Sequence, residues 1–524
     1  MSYTAPIPVE IWNRCWSYCP SRRLQRLALV CHLFRDICQP LLFSEQTFQA
    51  PDVDDITAQN WTRLRERIIS DTGRLSQIRA SHHLSAVCSL RFTGSFELGS
   101  PENYPEAVGI SQLNEAYLPA LRSFRTTLSQ YSRLSILFLS NLTIDTPFRH
   151  ALSALPRLVY LTLEDCDIAC RLAAPLPLRH LTISGSLSEQ TGPKCPLRIV
   201  SPQVLRSMYL LDTSDTHSIF VAFVPGTEYP DLTTLKISLT TDLATRFFAF
   251  LHDCPRLEQL EILSAPPSDS IEQDLASSAI PLLNSFSGPI SLAEMFVCGR
   301  PVTAAHLTLA GDEPRDLGSH VMSVLRRIAQ NSVPLKSLGI HPVRGGLAVF
   351  AVVYELFPRL TKLGIRFFEE RGYYLPNFSE RGMAEEDEEE DGDSDADEEY
   401  VEAHEVVTED GVSIRIPEFN RFPKSPIIAA IEVNSAGLPQ HPPTYFTGLM
   451  DWLCLRHAEL PPRLQELSLW SFQPTRPALL SVPQQRRAII MVSSRLPELR
   501  VLRFSEDGSC HWHLRDGVWS AIER

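Results

Sequence analysis

Five residues near the N-terminus are of the types that bind metals or act as nucleophiles: Cys15, Cys19, Cys31, His32 and Cys38. Thiolate and imidazole groups are the ligands that zinc prefers, and a thiolate beside a histidine can act as a nucleophile. Cys31 and Cys38 are seven residues apart and would share one face of a helix, whereas His32 would point about 100° away from Cys31. The spacing therefore favours buried, packed thiols over a zinc site or a reactive thiol.

Two later segments carry similar residue types. The segment LHDCP at 251–255 holds His252, Asp253 and Cys254, but adjacent residues cannot aim their side chains at one another as a thiol-protease triad requires. The segment CHWH at 510–513 lacks the distant second ligand pair of a zinc site. We predict no catalytic residue, no metal ligand and no cofactor, and we expect that the chain is not an enzyme.

Most of the net negative charge comes from one segment. The run from Glu385 to Glu399 holds twelve acids and no base, in a chain of 524 residues with a net charge of −14. Part of this run has calcium-loop spacing, but Ala396 stands where such a loop needs a glycine. We predict a disordered acidic insertion at about 380–412. Since the chain has no large basic block, we do not expect nucleic acid as a partner.

The apolar segments and the cysteines indicate a cellular location. Apolar runs such as IFVAFV are too short to span a bilayer, so no membrane association is expected. The N-terminus lacks a basic region followed by an apolar core, so we predict no secretory signal. Twelve cysteines scattered over the chain are typical of thiols in a reducing compartment. We therefore expect a cytoplasmic or nuclear protein, or one present in both compartments.

A compact group of short helices is predicted to position the N-terminal cluster. Pro8 suits the first turn of a helix, and Pro20 with Ser21 as a possible N-cap begins a second. Pro40 is predicted to mark the next turn. Helical spacing would bring one set of apolar residues into a stripe: Leu24, Leu27, Cys31 and Phe34. These few residues cannot bury all of this apolar surface among themselves. We therefore expect the N-terminal helical module to need a partner.

An internal repeat dominates the chain from about residue 82 onward. Four octets are nearly identical: PRLVYLTL at 156, PRLEQLEI at 255, PRLTKLGI at 358 and PRLQELSL at 462. Successive copies of the apolar-x-x-apolar-x-apolar frame begin at 134, 158, 178, 205, 232 and 257, with separations of 24, 20, 27, 27 and 25. This is the period of leucine-rich repeats, in which each unit contributes a parallel strand and a helix to a solenoid. An ordinary α/β domain with leucine-rich strands is the alternative.

The gap between frames at 257 and 335 is long enough for three periods. It therefore predicts two degraded copies, and we place a weak frame at Ala304, Leu307 and Leu309. Helices are predicted between strands, in the segments DLATRFFAFLHDC and HVMSVLRRIAQNS.

Residues 7–43 resemble an F-box, the adaptor-binding module of Skp–cullin–F-box ubiquitin ligases. The matching elements are the opening IPVEI, the Tyr-x-Pro junction at Tyr18 and Pro20, the segment from Leu24 to Phe34, and the closing LLF at 41–43. The whole chain resembles the F-box/leucine-rich-repeat architecture that is common in fungi.

This resemblance implies an α/β fold with an N-terminal three-helix F-box, followed by a leucine-rich-repeat-like solenoid with parallel strands on its concave face. The implied domains are an F-box at 1–50, a helical linker at 51–81 and an array at 82–524. The implied function is that of a substrate receptor, which binds a Skp-type adaptor, through it a cullin scaffold, and an unknown protein substrate. The adaptor-binding residues would be Ile7, Pro8, Ile11, Leu24, Leu27, Val30, Cys31, Phe34, Leu41 and Leu42.

A second hypothesis needs no ubiquitin ligase. The chain would then be a leucine-rich scaffold or protein-interaction module whose N-terminal helices cap the array, because the terminal repeats of a solenoid need covering.

Overall fold

The chain divides into two units, Met1–Leu283 and Asn284–Arg524, in a computed structural model. The structure describes residues 7–48, 61–80, 82–94, 107–168, 175–185, 200–221, 225–265, 275–276, 278–308, 317–343, 348–368, 403–407, 413–417, 453, 460–472, 482–504, 511–515 and 517–522. Both units are α/β, and their sheets are mostly parallel. Within these residues, no helix combines the length and the apolar character that crossing a membrane requires.

The first unit begins with three short helices: α1 (Val9–Trp16), α2 (Ser21–Ala28) and α3 (His32–Phe43). The predicted break at Pro20 is confirmed, although the N-cap of α2 is Pro20 itself and not Ser21. Pro40 does not mark a turn as predicted, because α3 continues through it to Phe43. A proline inside a helix cannot donate to the carbonyl four residues earlier, and the packing of Leu41 and Leu42 onto the helical core offsets this loss.

A parallel sheet follows the helices. Its strands in spatial order are β1 (Glu45–Phe48), β2 (Ser89–Thr93), β3 (Ile136–Ser140), β5 (Tyr160–Glu164), β7 (His180–Ser184), β8 (Ser207–Leu210), β9 (Thr234–Ser238) and β10 (Gln259–Ser264), while β4 (Thr143–Ile144) and β6 (Asp167–Ile168) pair separately. The remaining helices of this unit are α4 (Trp61–Ala80), α5 (Ala107–Thr127), α6 (Thr146–Ser153), α7 (Thr213–Val221) and α8 (Ala244–His252).

The sheet begins earlier in the chain than the predicted start of the array at 82. Only Ser44 separates α3 from β1, and the Ser44 carbonyl accepts hydrogen bonds from the N–H groups of Cys88 and Ser89, at 2.8 and 3.0 Å. Strand β1 then pairs in parallel with β2. The helix α4 occupies most of the predicted helical linker and packs against α5. The three helices therefore continue into the sheet without a spacer.

The second unit holds a sheet with the same recurring pattern. Its strands in spatial order are β11 (Ser285–Pro289), β12 (Ala304–Thr308), β13 (Ser337–Val343), β14 (Lys362–Phe368), β17 (Glu466–Phe472), β18 (Val501–Arg503), β19 (His511–Arg515) and β20 (Val518–Ile522). Its helices are α9 (Ile290–Val297), α10 (Leu317–Ala329), α11 (Ala348–Leu356) and α12 (Val482–Ser493). The strands from β11 to β18 pair in parallel, whereas β19 and β20 are antiparallel additions.

The repeat frame corresponds to the register of the sheets. The middle frame residue of each copy lies opposite that of the next, and these side chains are at most 3% exposed. In the first unit they are Leu90, Leu137, Leu161, Leu181, Met208, Leu235 and Leu260, and in the second Phe286, Ala305, Leu338, Leu363, Leu467 and Leu502. Burying each large apolar side chain contributes about 1.5–3 kcal/mol, so the frame is the main apolar core of each sheet.

The two degraded copies predicted between 257 and 335 are present as β11 and β12. The frame that we placed at Ala304 is wrong by two residues, because Ala305, not Leu307, lies opposite Leu338. The frame begins at Val302, which is fully buried. The copy that begins at Val302 was placed wrongly because its middle residue is Ala305, whereas the other copies were recognised by the spacing of large apolar residues.

The acidic insertion predicted at about 380–412 falls mostly outside the described residues. Its last part overlaps β15 (Ala403–Val407), which pairs in antiparallel fashion with β16 (Ser413–Pro417). The run of twelve acids lies outside the described residues.

Candidate functional site

The three N-terminal helices share a small aromatic core. Trp16 is 6% exposed, and its ring centroid lies 4.7 Å from that of Phe34 and 5.1 Å from that of Trp12. Buried Leu24, Ile37 and Cys38 complete this core. Aromatic pairs at these separations add about 0.5–1.5 kcal/mol each beyond their buried area. The core therefore fixes the relative positions of α1, α2 and α3.

A set of large apolar side chains remains outside that core, and we call it the apolar helix surface. Its members, with their exposed fractions, are Ile7 (52%), Val9 (43%), Ile11 (50%), Tyr18 (82%), Leu29 (81%), Val30 (65%) and Leu33 (52%). Seven of the seventeen large apolar side chains exposed in the described part of the chain thus lie within residues 7–33. Exposed apolar surface of this kind is typical of protein interaction sites.

The ten predicted adaptor-binding residues occupy three different environments. Exposed positions are Ile7, Pro8, Ile11, Val30 and Cys31; half-buried positions are Leu27, Phe34, Leu41 and Leu42; Leu24 is buried. At 5% exposure, Leu24 can support the surface but has almost no area to offer a partner. The predicted stripe from Leu24 to Phe34 is wrong, since the chain turns between α2 and α3 and distributes those residues over two helices.

The N-terminal thiols are not all packed in the core as we predicted. Cys15 and Cys31 are exposed, Cys19 is half-buried, and Cys38 is buried. Cys31 precedes α3 as its N-cap, where its Sγ accepts a hydrogen bond from the N–H of Phe34 at 3.5 Å. Burial, with a smaller contribution from Cys19, raises the pKa of the Cys38 thiol. His32 is exposed at the first position of α3.

Sequence reasoning missed several residues of this module. Trp12 and Trp16 form the aromatic core with Phe34, while Leu29 and Leu33 contribute to the apolar helix surface. The i, i+4 spacing of the two tryptophans was a usable signal, because such residues are neighbours on a helix. Leu29 was missed because one continuous helix was assumed where the chain turns.

The segments LHDCP and CHWH provide structural elements. His252 ends α8 as predicted, and Cys254 is buried, with its thiol donating to the Phe250 carbonyl at 3.2 Å. Burial raises the pKa of this thiol well above its usual value. His511 and His513 lie on alternate positions of β19. In the described part of the chain, no three His, Cys, Asp or Glu side chains cluster as metal ligands.

A histidine–tryptophan cluster lies on the second unit's sheet. His341 is 9% exposed, and its ring centroid is 4.3 Å from that of His306 and 5.0 Å from that of Trp470. The neighbouring position on β13 is Gly339, where a Cβ atom would clash with the His306 ring. Burial, with smaller contributions from His306 and Arg366, lowers the pKa of His341 to about 3.

We expect His341 to make the second unit less stable in mild acid. Between pH 6.5 and about 3, the unfolded chain binds a proton at this position that the folded chain does not, so stability falls as the pH falls through that window. Between pH 7 and pH 5 the loss should be about 1–2 kcal/mol. Urea unfolding followed by tryptophan fluorescence at both pH values measures it.

In the variant His341→Gln, the free energy of unfolding should differ less between pH 7 and pH 5 than in the intact chain. His32→Gln is the matched control, because this histidine is exposed on α3. If the free energy of unfolding of His341→Gln falls between pH 7 and pH 5 as much as that of the intact chain, His341 is not the cause of the acid sensitivity.

The fold and the site define the class of this protein only coarsely. It is an α/β protein with mostly parallel sheets and an exposed apolar surface on three N-terminal helices. None of the family models matches the chain, and none of the curated proteins does either. Because an α/β architecture hosts many functions, the functional argument depends on the residues of the site.

Proposed function

We propose that this protein is the substrate-recognition subunit of a Skp–cullin–F-box ubiquitin ligase. The helices α1–α3 would form the F-box and bind the Skp-type adaptor, and through it the cullin. The two sheets would belong to a leucine-rich-repeat-like solenoid whose concave, strand-lined face holds a protein substrate. The observation that carries the proposal is the apolar helix surface, since it lies within the residues that resemble an F-box.

The connection between helices and sheet also supports this function. A substrate receptor performs no chemistry; it raises the effective concentration of the substrate near the conjugating enzyme. This contribution depends on a defined distance between adaptor and substrate. The single-residue connection at Ser44, with its two hydrogen bonds to Cys88 and Ser89, would hold the F-box at a fixed place relative to the first strands.

A scaffold whose helices only cap the sheet is the second candidate. The contacts of α3 with β1 and with the 3₁₀ turn His82–Ala86 favour it, because a cap covers the end of an array. A cap alone leaves the apolar helix surface without a role, however. We therefore favour the adaptor-binding function, in the cytoplasm or the nucleus.

Co-purification with a Skp-type adaptor tests the proposal. The intact chain should retain the adaptor, and a chain that begins at Glu45 should not. The truncation keeps β1, because Phe48 is 1% exposed and its loss would damage the sheet. Absence of adaptor from the intact chain, or equal retention by the truncated chain, would overturn the proposal in favour of the scaffold.

A further inference from the structure

Two arginines directly precede adjacent strands of the first sheet. Arg179 and Arg206 directly precede β7 and β8, and the N–H of Arg206 donates to the carbonyl of Arg179 at 2.7 Å. Both side chains are exposed, and neither forms an ion pair within the described part of the chain. Like charges on neighbouring strands repel, so this pair costs stability that an anionic partner would restore.

Exposed Tyr160 and half-buried His180 form an aromatic pair beside the arginines. Tyr160 and His180 are opposite each other on β5 and β7, with ring centroids 4.0 Å apart and planes inclined by 2°. Ile136 extends this row on β3. Tyr160 is 43% and Ile136 44% exposed. Partial burial, followed by the positive charges of Arg206 and Arg179, lowers the pKa of His180.

Two other basic residues along the same sheet are neutralised by acids. Arg256, in the turn before β10, pairs with Asp231 at 3.1 Å, and Lys236 on β9 pairs with Glu261 at 2.9 Å. Arg179 and Arg206 have no such acid among the described residues. Two guanidinium groups suit one or two carboxylates, which they can bind through paired N–H donors. The adjacent rings provide apolar area for a neighbouring side chain.

We propose that Ile136, Tyr160, His180, Arg179 and Arg206 form a binding patch for a protein segment that carries carboxylates beside aromatic or aliphatic side chains. The assignment of this partner as a ubiquitin-ligase substrate rests on the proposed function. Binding of the segment to this patch does not depend on the proposed function. Nucleic acid fits less well, because its affinity comes from neutralising many phosphates and the chain as a whole is acidic.

Fluorescence anisotropy with a fluorescein-labelled peptide of alternating Glu and Leu residues tests this patch in the full chain. The intact protein should bind this peptide, and Arg179→Ala with Arg206→Ala should weaken binding by about tenfold or more. Tyr160→Ala should weaken it too. Added salt should weaken binding, because exposed charges are screened over about 8 Å at physiological ionic strength.

Arg256→Ala is the matched control and should bind as the intact chain does, because Asp231 already neutralises this arginine. A peptide with Lys in place of Glu should not bind. The patch is refuted if the intact chain fails to bind the Glu peptide, if the Lys peptide or oligothymidylate binds as tightly, or if Arg256→Ala weakens binding equally.

Adaptor retention by the same variants separates this inference from the proposed function. The Arg179→Ala, Arg206→Ala chain should keep the adaptor while it loses the peptide. Peptide binding by an intact chain that retains no adaptor would overturn the ligase proposal and leave the patch standing. Adaptor retention without peptide binding would refute the patch and leave the ligase proposal standing.

Discussion

Replacing Leu29 and Val30 together by Asp is expected to abolish retention of a Skp-type adaptor while the chain stays folded. These side chains are 81% and 65% exposed between α2 and α3, so the folded chain itself tolerates a charge there. In a complex, both carboxylates would be desolvated where apolar contacts are needed. Losing two central apolar contacts costs about 4 kcal/mol, or roughly a thousandfold in Kd. Titration calorimetry with purified adaptor measures the change.

The matched control for this variant is Ile490→Asp on α12. Ile490 is 65% exposed, as Val30 is, so this substitution matches the Val30→Asp change in charge and exposure outside the helical module. Phe34→Ala is unsuitable, because this ring packs against Trp16 and its loss would destabilise the module itself. Unchanged adaptor affinity in the Leu29, Val30 variant, or equal loss in Ile490→Asp, would contradict an adaptor site here.

Replacing Phe124 by Ala should destabilise the first unit by about 3–5 kcal/mol. Phe124 on α5 is fully buried, its ring stacks on Phe92 of β2 with centroids 4.0 Å apart, and Phe148 of α6 lies 5.9 Å away. The substitution leaves a cavity where a helix packs onto the sheet. Because a chain of two units need not unfold in one step, hydrogen exchange is the suitable measurement.

Exchange should accelerate in peptides from β2 and β3 and stay unchanged in β17. Leu118→Ala is the matched control, since Leu118 is 41% exposed on the same helix and its removal leaves no cavity. Equal protection of β2 in the Phe124→Ala and Leu118→Ala chains would show that this aromatic cluster contributes little.

The strand positions could be predicted well because the repeat encodes them directly. The residues Leu161, Leu260, Leu363 and Leu467, read from four similar octets, are all buried middle positions of parallel strands. One apolar frame in each copy leaves a strand one way to bury its side chains, since a one-residue shift would expose them. The copy at Val302 was misplaced because Ala305 carries too little of the leucine signal.

The candidate site was less predictable than the strands. The sequence indicated an N-terminal module with surplus apolar surface and included Ile7, Ile11 and Val30, which are exposed. It did not separate them from Leu24, which is buried, or identify Leu29. Apolar spacing reports which residues share a helix face, but not whether that face meets another helix or solvent.

The sequence by itself determined the α/β class, the repeat frame and the break at Pro20, because these depend on local spacing and backbone restriction. Only the tertiary structure decided that Trp16 and Phe34 pack inside while Leu29 and Val30 lie outside, and that Arg179 and Arg206 lie side by side before adjacent strands. These facts depend on how segments distant in sequence approach one another. Packing selects one arrangement from many that share the same local pattern, so exposure and charge pairing follow only once the chain has folded.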